Sequence, residues 1–280
     1  MKEFATKEEL FKHLKANKQL LVMQKKSAMK HGDNATGTLK ELPKTEFEQK
    51  DMGTSSDGMP IGKIRVKAII NTSNILDSHG DVHIGNIWKK SISELKYIVH
   101  LESHEREFDA VIAASPDVTA YVKSLTWKSL GYDYEGSTQA LIFDSVVSAE
   151  RNEFMFNQYK SGYVQNHSVG MQYVTLYLCI NSDDRWYAEE KDNWDKYYPM
   201  VANKEEADMK GYFWAVTEAK LIEGSAVVLG SCPVTPTQSV EDITDDEEGA
   251  GNTSTSSKQK PANNAAADFT QTINQFNFKF

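Results

Sequence analysis

Seven histidines are spread along this 280-residue chain, and two pairs of them, His79/His83 and His100/His104, stand four residues apart. On a helix that spacing sets two imidazoles on one face, the arrangement of a zinc hydrolase in which a glutamate after the first histidine serves as base. Here Leu101 follows His100, and Gly80-Asp81 interrupts the first pair, so a zinc hydrolase built on His100 and His104 ranks below the alternatives. A hydroxyl nucleophile makes different demands: a base within hydrogen-bond reach, a group that orients the base, and N–H donors for the oxyanion. The segment Gln165-Asn166-His167-Ser168-Val169-Gly170-Met171 offers such a hydroxyl where a strand opens, just past the turn Ser161-Gly162. Ser168 then sits at an element edge, where a side chain can face a groove, and Gly170 permits close backbone approach. With Asn166 in place of the first glycine, this is not the Gly-x-Ser-x-Gly elbow of the α/β-hydrolases.

The elements that must position these residues differ in texture along the chain. Thr6-Lys7-Glu8-Glu9 is a capping-box pattern followed by Leu10, Phe11, Leu14, Leu20 and Leu21, which predicts an amphipathic first helix within an N-terminal segment, residues 1–31. Residues 32–61 mix Gly, Asp, Thr, Ser and Pro without periodicity and read as a linker. From residue 62 the pattern becomes alternating and β-branched, predicting strands near 64–70, 110–114, 118–125, 140–147, 168–178 and 213–229, the last with a break inside it. Helical spacing is expected over 84–99 and 149–159, and residues 183–211 read as an inserted excursion. The folded domain is expected to span 62–236 in the α+β class, with a strand-rich, barrel-like β core and flanking helices. Residues 237–280 form an acidic tail, read as disordered over 238–268 and ending in an apolar peptide, 269–280.

Four segments, taken together, resemble a known family. Asn71-Thr72-Ser73-Asn74-Ile75-Leu76-Asp77-Ser78-His79-Gly80-Asp81-Val82 is similar to the Asp-x-x-Gly-Asp opening of the tailed-phage prohead proteases. His100-Leu101-Glu102-Ser103-His104-Glu105 resembles that family's catalytic histidine followed by an acid, with His104 the better fit. Gly162 to Met171 resembles its nucleophile motif and assigns Ser168, and Leu221-Ile222-Glu223-Gly224-Ser225-Ala226-Val227 with Pro233 resembles its closing motif. The resemblance covers roughly 62–236 and implies a herpesvirus-assemblin-like fold and a serine endopeptidase with Ser168 as nucleophile, His104 as base and Glu223 as orienting acid. Glu218 is the next candidate for the third position, and the oxyanion donors are expected near Gly230-Ser231. The departures are Phe108-Asp109-Ala110-Val111-Ile112 where the family has Pro-Ile-Gly after the histidine, Gly224 where it has a branched residue, Pro233-Val234-Thr235 in place of Pro-Ala-Asn, and the 183–211 excursion that lengthens the serine-to-glutamate spacing.

Charge and composition bound the partners. A net charge of -9 argues against wholesale nucleic-acid wrapping, because phosphate binding needs a basic surface. Cys179 and Cys232 are the only cysteines, so no disulfide framework is indicated. The N-terminus lacks a signal-peptide run and no stretch reaches about 18 apolar residues, which predicts a soluble protein without a membrane partner. The resemblance implies that the major capsid protein, the scaffold protein and the chain itself are substrates, inside an assembling prohead in the host bacterial cytoplasm, with no cofactor. The oligomeric state stays open. A non-enzymatic capsid scaffold or assembly-binding protein on the same fold is the second reading, suited by the acidic tail and the basic first helix.

Overall fold

The computed structural model describes residues 4–27 and 62–243. The linker expected at 32–61, the tail beyond Ile243 and its terminal apolar peptide lie outside the described residues. Strand β1 (Lys63–Thr72) begins with strict alternation, Ile64, Val66 and Ala68 buried between the more exposed Lys63, Arg65 and Lys67, and is then buried on both faces from Ala68 onward. That change in pattern marks where a second layer begins to cover its outer side. Two further strands follow early, β2 (Asp81–His83) and β3 (Val99–Glu102), and then β4 (Val111–Ala114), β5 (Val118–Thr126), β6 (Ser137–Ser148), β7 (Asn166–Ile180), β8 (Tyr212–Val227) and β9 (Thr237–Ile243).

These nine strands form two sheets. One runs β5-β6-β1-β9, antiparallel at each pairing, and the other runs β2-β8-β3-β4 with β7 pairing β8. Each sheet keeps its own edge strands, so the described residues form an α+β structure of two sheets without a closed barrel. Face-to-face packing is tight where Phe143 of β6 meets Gly224 of β8: a Cβ on Gly224 would come within 2.5 Å of the ring. A branched residue at 224 is thus excluded by packing, since the Phe143 ring occupies the volume such a side chain would take.

Several sequence expectations are corrected. β8 is one continuous strand of 16 residues, not two; its irregularity lies in bulges of the β7 pairing and in a change of parallel partner, from β2 at its start to β3 near its end. The helix expected over 84–99 shrinks to α3 (Lys89–Glu94), because Asn86 takes a left-handed φ of 69° and Val99 enters β3. The apolar residues Ile84, Ile87 and Trp88 are buried from turns, which mimic helical spacing without a helix. Helix α4 (Glu153–Lys160) forms as expected, its first turn capped by Asn152 Oδ1 accepting from the Met155 N–H at 2.9 Å. The tail boundary moves to 243, because Glu241 and Asp242 belong to β9: Glu241 stands opposite Arg65 and Asp242 pairs with Lys160 at 3.0 Å.

The N-terminal segment is two helices, α1 (Lys7–Ala16) and α2 (Lys18–Ser27), and the 183–211 region supplies α5 (Ala188–Tyr197) and α6 (Lys204–Lys210). This region is part of the core: Trp194, Tyr197, Val201 and Ala207 pack with Phe213, Ala215, Leu76 and Val82. Phe11 and Leu14 of α1 are buried, and Lys15 and Lys18 reach the fully buried Glu190 of α5 at 2.7 and 2.8 Å. Among the described residues no helix is long and apolar enough to cross a membrane.

Candidate functional site

Near the C-terminal end of β8, three strands lie side by side: β3 in parallel on one flank and β7 antiparallel on the other. Glu223 and Ser225 are two residues apart on β8 and therefore share a face. Across the β7 ladder Gly170 stands opposite Glu223 and Ser168 opposite Ser225, with no register shift between them. Directly opposed residues of an antiparallel pair project to the same side with Cβ atoms about 5 Å apart, so Ser168, Glu223 and Ser225 face one way. Gly170 is what gives the acid its place: a Cβ there would lie 1.8 Å from Glu223 Oε1, so only glycine leaves room for the carboxylate above β7.

His104 arrives from the turn after β3. Its Nδ1 lies 2.6 Å from Glu223 Oε1, with the imidazole side chain 6% and the glutamate side chain 1% exposed. A carboxylate only accepts, so Nδ1 carries the proton and Nε2 is the basic nitrogen of the neutral ring. Ser103 and His104 both adopt left-handed φ, 48° and 63°, a conformation that costs a non-glycine residue on the order of 1–2 kcal/mol and persists only when surrounding bonds hold it. Those bonds are Ser103 N–H to Ala226 O at 2.9 Å, His104 N–H to Ser225 Oγ at 3.2 Å and Glu105 N–H to Glu102 O at 2.9 Å. The second oxygen of Glu223 accepts from the Ser225 hydroxyl at 2.6 Å.

The structure thus brings His104 and Glu223 into direct contact and sets Ser168, 5% exposed, two residues along the β7–β8 ladder from the Gly170–Glu223 pair and on the same face. Glu218 is not part of this group: its carboxylate accepts from Lys90 at 3.2 Å and Thr175 at 3.4 Å, about 17 Å along the strand from Glu223 at about 3.3 Å per residue. The loop at Gly230-Ser231, where oxyanion donors were expected, lies beside the start of β7. A Cβ on Gly230 would come 2.7 Å from the His167 carbonyl oxygen, and Asn166 Nδ2 donates to Val228 O at 3.2 Å. Ser225 carries no role in the sequence motif; its position two residues after Glu223 on a strand is the signal that the two share a face.

His100 does not face this site. It is fully buried on β3, with Ser145 Oγ at 3.0 Å from Nδ1 and the Tyr159 hydroxyl at 3.1 Å from Nε2. The Tyr159 hydroxyl also lies 3.0 Å from His167 Nε2, and His167 Nδ1 is 3.1 Å from Thr235 O. A carbonyl cannot donate, so His167 Nδ1 carries its proton and every other bond then has a fixed direction: Tyr159 donates to His167, His100 Nε2 donates to Tyr159, and Ser145 donates to His100. Burial pushes His100 down to about 3, with the neighbouring His167 adding to the effect. Burial likewise takes His167 down to about 4, opposed in part by its bond to Thr235 O. With His100 on a strand and both its ring nitrogens engaged in this chain, the i,i+4 pair does not present two imidazoles to one metal.

The Asp77 to Trp88 stretch builds a second buried network. Asp77 Oδ1 accepts from the His79 and Asp81 N–H groups at 2.9 and 2.8 Å, closing a turn in which Gly80 takes φ 76°. Asp81, with a fully buried side chain, accepts from Tyr173 at 2.8 Å and is ion-paired with Lys25 of α2. Tyr173 in turn bonds His83 Nε2 at 3.1 Å, and His83 Nδ1 meets Asn71 at 2.9 Å. The resemblance motif at Asp77 and Asp81 therefore fixes β2 and α2 against the core and brings neither carboxylate to His104. No family model matches the chain, and comparisons with curated proteins and with solved structures return no match.

Proposed function

We propose that the chain is a serine endopeptidase of the tailed-phage prohead class on an assemblin-like fold, cleaving capsid and scaffold proteins and itself within the assembling prohead. The observation that carries the reading is the buried 2.6 Å contact between His104 Nδ1 and Glu223 Oε1, with Ser168 on the same face of adjoining β7. In the first step His104 Nε2 takes the Ser168 hydroxyl proton as Oγ bonds to the scissile carbonyl carbon, whose oxygen becomes the oxyanion. Collapse breaks the C–N bond, and the proton passes from His104 to the leaving amine. Water then attacks the acyl carbon as His104 Nε2 takes its proton, the C–Oγ bond breaks, and His104 returns that proton to Ser168 Oγ. Glu223 keeps the proton of the ring on Nδ1 and stabilises the imidazolium formed at each step. The oxyanion would be served by backbone N–H groups near Gly230-Ser231, a contribution of about 100-fold or more per donor.

The test is covalent labelling. A fluorophosphonate incubated with the full chain should modify Ser168, located by peptide mass spectrometry, and labelling should vanish in Ser168→Ala and His104→Ala. Glu223→Gln should lose less than Ser168→Ala does, since the orienting acid is commonly the least costly member to remove. Co-expression with the capsid protein should give cleavage under the same dependence. A chain that binds capsid protein but is labelled nowhere would favour the scaffold reading and defeat this one.

A further inference from the structure

We propose that Ser225 is a positioning residue that locks His104 and Glu223 into one unit; its catalytic consequence rests on the endopeptidase reading above. One hydroxyl makes both bonds. Ser225 Oγ accepts from the His104 backbone N–H at 3.2 Å and donates to Glu223 Oε2 at 2.6 Å, while Glu223 Oε1 receives Nδ1–H of His104 at 2.6 Å. The three residues therefore close a ring of hydrogen bonds in which the base is held at its backbone and at its side chain.

Three further observations give the ring its importance. Ser225 is fully buried, so water does not offer a replacement partner for either bond. The His104 amide belongs to a pair of left-handed residues, a conformation that relaxes when its anchors are lost. Ser225 also stands on the central strand at the rung where β3 pairs through Leu101 and β7 through Ser168, so its movement would shift base and nucleophile relative to each other. A serine that only filled space on β8 would need neither bond.

The experiment compares wild type, Ser225→Ala and Ser225→Thr as full chains. Three quantities are read: fluorophosphonate inactivation resolved into kinact and KI, the downfield proton resonance of His104 Nδ1–H, and exchange protection of the His104 amide. Ser225→Ala should lower kinact about tenfold with KI within twofold, because a hydrogen bond to a buried carboxylate is lost while the binding surface is untouched. It should also shift or broaden the Nδ1–H resonance and expose the His104 amide to exchange. Ser225→Thr, which keeps the hydroxyl, should recover part of kinact and the resonance. Unchanged kinact and resonance in Ser225→Ala would overturn the proposal. So would an unprotected His104 amide in the wild type, a measurement that stands even if both variants fail to fold. If wild-type Ser168 is not phosphonylated, the endopeptidase reading fails, and the resonance and exchange data still decide whether Ser225 holds the pair.

Discussion

The neutral His100–Tyr159–His167 chain makes the fold sensitive to mild acid, and the size of the effect can be worked out. Both imidazoles stay neutral in the folded chain until about pH 3 for His100 and 4 for His167, whereas an unfolded histidine titrates near 6.5. Between these limits the unfolded chain binds more protons, so stability falls as pH falls; above about pH 7 the two residues contribute no dependence. Each group withdraws up to about 1.36 kcal/mol per pH unit, and half of that at pH 6.5 where its unfolded imidazole is half protonated, so from pH 6.5 to pH 5 each costs about 1.6 kcal/mol and the pair about 3 kcal/mol. Set against a domain stability on the order of 5–15 kcal/mol, that is a large fraction. Urea unfolding at several pH values between 7 and 5 measures it, with His100→Gln and His167→Gln as references that place a neutral amide where each ring was. Other acid-titrating groups act equally in all three proteins, so each variant should lose about 1 kcal/mol per pH unit of mean slope between pH 7 and 5 relative to wild type. Identical slopes in wild type and variants would refute the reasoning, because the buried neutral rings would then not be the linked groups.

Three other outcomes are expected. Gly170→Ala should fold yet lose fluorophosphonate labelling about as severely as removal of Glu223, since the added Cβ occupies the position of the carboxylate; labelling at the wild-type rate would show that Glu223 can act from elsewhere. Lys25→Ala leaves the buried Asp81 without its ion-pair partner from α2 and should cost about 3–5 kcal/mol in urea unfolding, with a loss under about 1 kcal/mol counting against a docked α2. Self-cleavage should fall within 32–61 or 244–268, in sequence that carries no periodic apolar pattern, and should be absent in Ser168→Ala; mass spectrometry of mature particles that finds only the intact chain would contradict it.

The strands were largely legible because alternation of β-branched side chains is a local property: β1, β5, β6 and β7 all lie where the period of two placed them. Helical spacing over 84–99 misled because Ile84, Ile87 and Trp88 are buried from turns, and the bonds that bury them come from elsewhere, such as Asn71 Oδ1 accepting from Trp88 Nε1 at 3.2 Å. The extension of order through Glu241 and Asp242 was hidden for a related reason. Acidic residues read as solvated until the basic Arg65 and Lys160 are known to stand beside them.

For the candidate site, the order of the segments that resemble the prohead proteases singled out Ser168, His104 and Glu223, and it left Ser225 without a role. It ranked Glu223 above Glu218 without a geometric ground for doing so, and it did not assign His100 to the core. Those decisions belong to tertiary structure, because they depend on the register of β3, β7 and β8 and on what packs behind them. His104 and Glu223 are 119 residues apart in the chain, and they meet because Gly170 leaves space for a carboxylate and Phe143 fills the space opposite Gly224. Local periodicity is set by each segment's own backbone geometry, whereas a contact across strands exists only once the whole core has fixed their relative positions.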